Sequence, residues 1–343
     1  MGEFEGWHVV LGRIVGHADL TAEEASDALG EILAGRATQA QSAAFMVGLR
    51  LKGETAEEIV GLVDAMLRVA APLNLPAGTI DIVGTGGSSA LGKRAFNVST
   101  IACIGAAGAG ATVCKHGNRK ASSTSGSTDM LEALGVAVDL DGPAVERCVS
   151  EAGVGFCFAR MFHPAMRHVG PVRAELGIPT VFNILGPMSH PGRVRRQLLG
   201  VADPNRVDVM AEVLRQRGME RAIIVHGHDG LDELTTTDTS TLISISGSSI
   251  ERRQFDPAEV GLPRRTLDEV AVGDPTQNAA VARRILAGES GAHRDLVVLN
   301  TAAGLVVADV AADLVEGVAL AAAAIDSGAA SDVLDRLVVA SHA

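Results

Sequence analysis

The sequence predicts an α/β protein in two lobes: a large α/β domain on a mostly parallel central sheet, and a small all-helical N-terminal domain. Three observations carry this reading. Capping boxes recur at Thr21/Glu24, Thr38/Gln41 and Thr55/Glu58, each before a helical apolar pattern. Beyond residue 76, short apolar runs alternate with helical patterns. Two of those runs end in glycine- and hydroxyl-rich loops that lead straight into helices.

In order along the chain, residues 8–70 read as helices, with apolar positions such as Ala25, Ala28, Leu29, Ile32 and Leu33, then Ile59, Leu62, Val63, Met66 and Leu67. Gly35 and Gly53 stand as helix stops, and Pro72-Leu73-Asn74-Leu75-Pro76 as the linker that ends the domain 1–76. Strands are expected at 79–83, 111–115, 136–140, 154–158, 197–202, 221–226 and 295–299. Residues 160–195 break the rhythm. A helix begins at His163-Pro164, continues through Pro171-Val172-Arg173 and stops at Gly177, and an ordered bend follows at 182–187. Residues 240–256 alternate like an edge hairpin, and from Asp274-Pro275 onward the pattern is helical apart from the strand at Leu296-Val297-Val298-Leu299.

The two loops carry the chemistry. The first reads Gly84-Thr85-Gly86-Gly87, after which Asn97-Val98-Ser99-Thr100 opens a helix. The second reads Lys115-His116-Gly117-Asn118-Arg119, followed by Ser122, Ser123, Ser125 and Ser127. Glycines let a phosphate reach backbone N–H groups, a helix N-terminus adds partial positive charge, and hydroxyls and Lys115 add donors. A glycine-rich turn alone also occurs for steric reasons; the second loop has no common structural rationale. Side by side, the two suit a sugar bearing several phosphates. A third loop, Gly230-Leu231-Asp232-Glu233, follows the strand ending at His226. Adjacent carboxylates usually mean a solvated loop, but Leu231, Leu234 and Thr235-Thr236-Thr237 frame this pair as half-buried. Its hard oxygens suit Mg²⁺ bridged to substrate phosphates.

The formal charge of −12 argues against nucleic-acid and anionic-membrane partners. The start, Met1-Gly2-Glu3-Phe4-Glu5, lacks a basic signal region, and the expectation is a cytoplasmic protein. Cys103, Cys114, Cys148 and Cys157 lack metal or redox spacing and read as buried thiols.

GTGG, FNVST, KHGNR with its serines, HPAMR, PVR, FNILGP and GLDE follow one another in an order that resembles the anthranilate phosphoribosyltransferase family over nearly the whole chain. The resemblance implies a nucleoside phosphorylase/phosphoribosyltransferase-like fold. It implies transfer of the phosphoribosyl group of phosphoribosyl pyrophosphate to anthranilate in tryptophan biosynthesis, with Mg²⁺ as cofactor and a homodimer through the helical domain. Residues of about 163–195 would return to that domain, leaving 77–162 and 196–343 as the large one. The family's donor contacts fall on Gly84, Gly86, Gly87, Asn97, Ser99, Thr100, Lys115, Ser123 and Ser127. Its acceptor contacts fall on Gly84, Asn118, His163, Arg173, Gly186 and Pro187, and its metal ligands on Ser99, Asp232 and Glu233. From the residues alone, Arg167 and Arg173 would be solvated helix charges; the resemblance gives Arg173 the acceptor carboxylate. Lys115, Asp232 and Glu233 would stabilise charge, and an already unprotonated aromatic amine needs no general base.

The chain also departs from the family. Ser88 and Ser89 stand where an Asp and a Gly are usual, and the span to Asn97 is three residues longer and contains Lys93 and Arg94. His190 replaces an Asn before Pro191. These changes keep two alternatives open: a paralogue with another aromatic acceptor, and a pyrimidine-nucleoside phosphorylase-like enzyme.

Overall fold

The computed structural model describes residues 4–86, 90–92, 94, 96–119 and 126–343. The chain opens with helices α1 (Trp7–Val15), α2 (Ala22–Leu33), α3 (Gln39–Lys52) and α4 (Ala56–Arg68). All three expected capping boxes form, the Thr hydroxyl accepting from the third helical N–H while Glu or Gln reaches back. Gly53 ends α3 at φ 85°, a conformation open to glycine.

There follow β1 (Ile80–Gly84), α5 (Val98–Gly108), β2 (Val113–Gly117), α6 (Ser127–Leu134), α7 (Gly142–Ala152) and β3 (Val154–Phe158). Short helices α8 (Ala159–Phe162), α9 (Gly170–Leu176) and α10 (Phe182–Met188) fill the irregular segment, with a 3₁₀ turn at Pro164–His168. Then come β4 (Arg196–Gly200), α11 (Val207–Gln216), β5 (Arg221–Gly227), and a hairpin of β6 (Ser240–Ser246) and β7 (Ser249–Phe255). The chain closes with α12 (Leu267–Val270), α13 (Pro275–Leu286), α14 (Ala292–Val307), α15 (Leu314–Asp326) and α16 (Ala329–Ser341).

The seven strands form one sheet in the order β3-β2-β1-β4-β5-β6-β7, parallel through β5 and antiparallel in the edge hairpin. Strand residues alternate between two cores. Ile80, Ile82, Leu198, Ile223 and Val225 pack with α5 and α14, whereas Val83, Leu199, Ala222, Ile224 and Ile243 pack toward α4 and α11. The second core is continuous with α1–α4, so the N-terminal helices, α9 and α10 together cover that side of the sheet.

The chain runs β1, β2, β3 outward in one direction and returns with β4 on the other side of β1. The strand order therefore reverses between β1 and β4, and a crevice opens at their carboxyl ends, Gly84 and Gly200, which lie in register.

Three expected elements differ. Residues 136–140 are not a strand: Gly135 ends α6 in the left-handed conformation, and the Ala137 N–H donates to Ser341 Oγ instead of a neighbouring strand. Leu296–Leu299 lie inside helix α14, where sheet on one side and α5 and α15 on the other bury the run. An apolar run buried all round has no period that separates strand from helix. Residues 182–187 form helix α10, not a bend, with Pro187 in its last turn.

Candidate active site

At the end of β1, Gly84 has no room for a side chain: a β-carbon there would lie 2.2 Å from Asp232 Oδ2. At the end of β4, a β-carbon on Gly200 would lie 1.6 Å from the Asp232 carbonyl oxygen. The acidic loop thus sits directly over the switch point. Gly86, at φ 68°, donates its N–H to Asp232 Oδ2 at 2.8 Å. Thr85 bonds to both sides of the β4 end, its N–H to Gly200 O and its Oγ1 accepting from Ala202 N.

Asp232 and Glu233 are half-buried. Burial raises the Asp232 carboxyl above its usual range, and burial with the neighbouring Asp232 and Asp229 charges raises Glu233 well above it. Lys115, buried on β2, is the cation that offsets both, and its Nζ donates to Ile82 O at 2.6 Å. Asp229 braces the acidic loop: its carboxylate accepts from Leu231 N at 3.0 Å, from Thr235 Oγ1 at 2.6 Å and from Thr237 Oγ1.

Gly117 ends β2 against α6, where a β-carbon would lie 2.6 Å from Ser127 Oγ. Ser127 Oγ donates to Asn118 O, and exposed Asn118 accepts from Arg119 N. Arg119 is engaged in a two-pronged pair with Glu132 and contacts Asp129. Asn97 is the N-cap position of α5, yet its side chain caps none of the helix's own N–H groups. Ser99 and Thr100 lie in the first turn, and the buried Thr100 Oγ1 has no hydrogen-bond partner. Ser99 makes no hydrogen bond to Asp232 or Glu233 among the described residues. Gly87 and Ser123, also expected donor contacts, lie outside the described residues, as do Ser88 and Lys93.

Two of the residues expected at the acceptor site, Gly186 and His163, flank His116, a histidine the motif reading left without a role. His116 Nδ1–H donates to Gly186 O at 2.9 Å, tying α10 to β2 and leaving Nε2 unpartnered. Burial, then the neighbouring His163 and His190, hold His116 neutral well below the usual range. The His163 ring lies 5.2 Å from it, and burial pushes its pKa down to about 4 against the opposing effect of the Ser189 backbone. Pro187 O accepts from Gln197 Nε2, which also reaches the buried Asp81. Arg173, half-buried on α9, lies over the Phe182 ring at 5.5 Å, and no carboxylate pairs with it among the described residues. Burial lowers its pKa, the mark of a cation lacking water and a counter-charge.

Sequence reasoning missed His116, Gly200 and Asp81. The signal for His116 was present, since it stands inside the KHGNR run; Asp81 was an acid in the middle of an apolar strand.

Comparison with known proteins gives the family. Residues 9–70 match the model of the glycosyl transferase family helical bundle domain, and residues 77–331 that of the glycosyl transferase family a/b domain. Anthranilate phosphoribosyltransferase of Parvibaculum lavamentivorans is 49% identical over 97% of this chain and 97% of its own. That of Nocardioides sp. is 49% identical over 97% and 98%. The crystal structure of the Thermus thermophilus enzyme superposes with a TM-score of 0.91 at 42% identity, covering 97% of this chain and 99% of its own. The Saccharomyces cerevisiae enzyme in complex with phosphoribosyl pyrophosphate and Mg superposes with a TM-score of 0.89 at 29% identity, covering 98% of each. With a helical-bundle and an a/b family domain in succession and near-full-length relatives at 49% identity, this chain belongs to the anthranilate phosphoribosyltransferase family.

Proposed function

We propose that the chain transfers the 5-phosphoribosyl group of phosphoribosyl pyrophosphate to anthranilate, releasing pyrophosphate, as a step of tryptophan biosynthesis. The observation that carries this is Asp232 of the Asp232-Glu233 pair seated over Gly84 and Gly200 at the switch point, where only residues without a side chain leave it room. Loss of pyrophosphate leaves oxocarbenium-like charge on the ribose, so the protein's work is positioning and charge stabilisation. The N–H groups of the α5 N-terminus, with the Thr100 hydroxyl that has no partner among the described residues, offer donors to phosphate oxygens. Gly117, Asn118 and Ser127, packed together at the end of β2, would add further donor contacts.

Two half-buried carboxylates with a third, Asp229, behind them and one lysine close by leave negative charge in excess. A divalent cation with hard-oxygen preference fits that donor set. Mg²⁺ held by Asp232 and Glu233, with Ser99 in reach of the donor phosphates, would supply Lewis-acid stabilisation of the departing pyrophosphate. Arg173 over Phe182 would offer a bidentate fork to an acceptor carboxylate, and the neutral His116 and His163, with Gly186 held by His116, would supply an uncharged surface for the acceptor ring. A neutral pocket suits a neutral amine nucleophile, which attacks without a general base. A nucleoside phosphorylase would have no use for the acid pair, which weighs against that reading. The homodimer through the N-terminal helices rests on the family resemblance alone. No single helix among the described residues is long and apolar enough to cross a membrane.

The test is purified protein with anthranilate, phosphoribosyl pyrophosphate and Mg²⁺, followed by loss of anthranilate fluorescence. Turnover is expected. Donor binding by calorimetry without turnover would assign another acceptor, and absence of both would overturn the reading.

A further inference from the structure

The described part of the chain between the first glycine loop and α5 is gripped from one side. Leu91 and Phe96 are buried in the main core, the Phe96 ring meeting His293 edge-on at 5.0 Å. Arg94 pairs with Asp268 at 2.7 Å, and its carbonyl accepts from Val272 N at 3.0 Å. Arg94 is therefore directed to α12 and not toward a polyphosphate. The Asn97 N–H donates to Asn278 Oδ1 at 2.9 Å. Asn278 is wholly buried in the first turn of α13, and its Nδ2 donates to the Gly273 and Asp274 carbonyls at 3.1 and 3.0 Å. One amide thus joins the corner that receives Arg94 to the peptide that opens α5. Both ends of its amide are used, so its orientation is determined by the carbonyls at one end and an N–H at the other.

We propose that Asn278 is a positioning residue for the phosphoribosyl donor: it fixes the Asn97 peptide, and through it the N-terminus of α5, in the geometry that receives the donor's phosphates. The 268–278 corner then anchors the chain entering α5, since a long glycine-rich loop leaves many conformations to be restricted. This rests on the donor site of the proposed function. Asn278 touches neither substrate in this account; it acts through Asn97.

The experiment uses the full chain with Asn278→Ala, measuring donor affinity by calorimetry with phosphoribosyl pyrophosphate and Mg²⁺, the KM of both substrates, and Tm. Donor Kd and KM are expected to rise about tenfold while the acceptor KM stays within about twofold, a split that general loosening would not produce. Asn278→Asp retains volume and an acceptor for the Asn97 N–H but loses both donors, and should fall between wild type and Asn278→Ala. Where the alanine variant is insoluble, the aspartate variant carries the test, with donor Kd raised at least about threefold. Unchanged donor affinity, or both KM values rising in parallel, would overturn the inference while leaving the transferase reading intact. A wild-type protein that fails to bind the donor would overturn both.

Discussion

Asp232 and Gly200 meet backbone to backbone: the Asp232 carbonyl oxygen occupies the space a β-carbon on Gly200 would need, 1.6 Å away. The acidic loop therefore reaches the crevice only because β4 ends in a residue without a side chain. Gly84 on the neighbouring strand makes the same concession to the Asp232 carboxylate, at 2.2 Å. The two clashes differ in kind, since a carboxylate can rotate and a peptide carbonyl cannot.

Gly200→Ala should accordingly displace the acidic loop and lower kcat at least about a hundredfold, with overpacking costing about 1–3 kcal/mol of stability. Gly84→Ala should be milder and show chiefly as a higher Mg²⁺ requirement. Steady-state rates across a Mg²⁺ titration separate the two; a wild-type profile for Gly200→Ala would contradict the placement of the loop.

Arg173 is a half-buried cation over Phe182 without an acid partner among the described residues. Its truncation to Ala should raise the acceptor KM about 30-fold or more, in line with about 2–3 kcal/mol for a hydrogen bond to a charged group, with the donor KM little changed. Arg173→Lys should recover only part, because a point charge does not reproduce the fork. Equal effects on both substrates would remove Arg173 from the acceptor site.

Asp232→Asn combined with Glu233→Gln preserves shape and removes both charges. Mg²⁺ activation should disappear, while Tm should hold or rise, because burial disfavours both carboxylates and the Asp232 and Asp229 charges further disfavour that of Glu233. Persistent Mg²⁺ activation would place the metal elsewhere.

His163 is pushed from the ordinary 6.5 to about 4 in the folded chain, mainly by burial. The unfolded chain takes up a proton near 6.5 that the folded chain refuses until about 4, so the stability tied to neutral His163 is present above 6.5 and is lost as pH falls toward 4. The maximal loss is on the order of 3 kcal/mol. The drop in Tm between pH 7 and about pH 4.5 should therefore be larger for wild type than for His163→Asn. An identical drop in the two proteins would show that His163 titrates alike in the folded and unfolded chains.

The sequence by itself determined most of the local structure. Thr/Glu and Thr/Gln spacings mark the starts of α2, α3 and α4, and all three boxes form because their bonds close within four residues. The same holds for the edge hairpin, whose alternation reports one covered face. The motifs also placed the two glycine-rich loops and the acidic loop after strand ends. Where burial is complete the local signal vanishes: Leu296–Leu299 read as a strand and fold as helix α14, and Val136–Leu140 alternate like a strand but find a serine hydroxyl instead of a strand partner. Only the tertiary structure decided the rest of the site. The tie of His116 to Gly186, the seat of Asp232 on Gly84 and Gly200, the pairing of Arg94 with Asp268 and the hold of Asn278 on Asn97 join residues 70, 148, 32, 174 and 181 positions apart. Contacts of that span depend on strand order and side-chain packing, which no local pattern encodes.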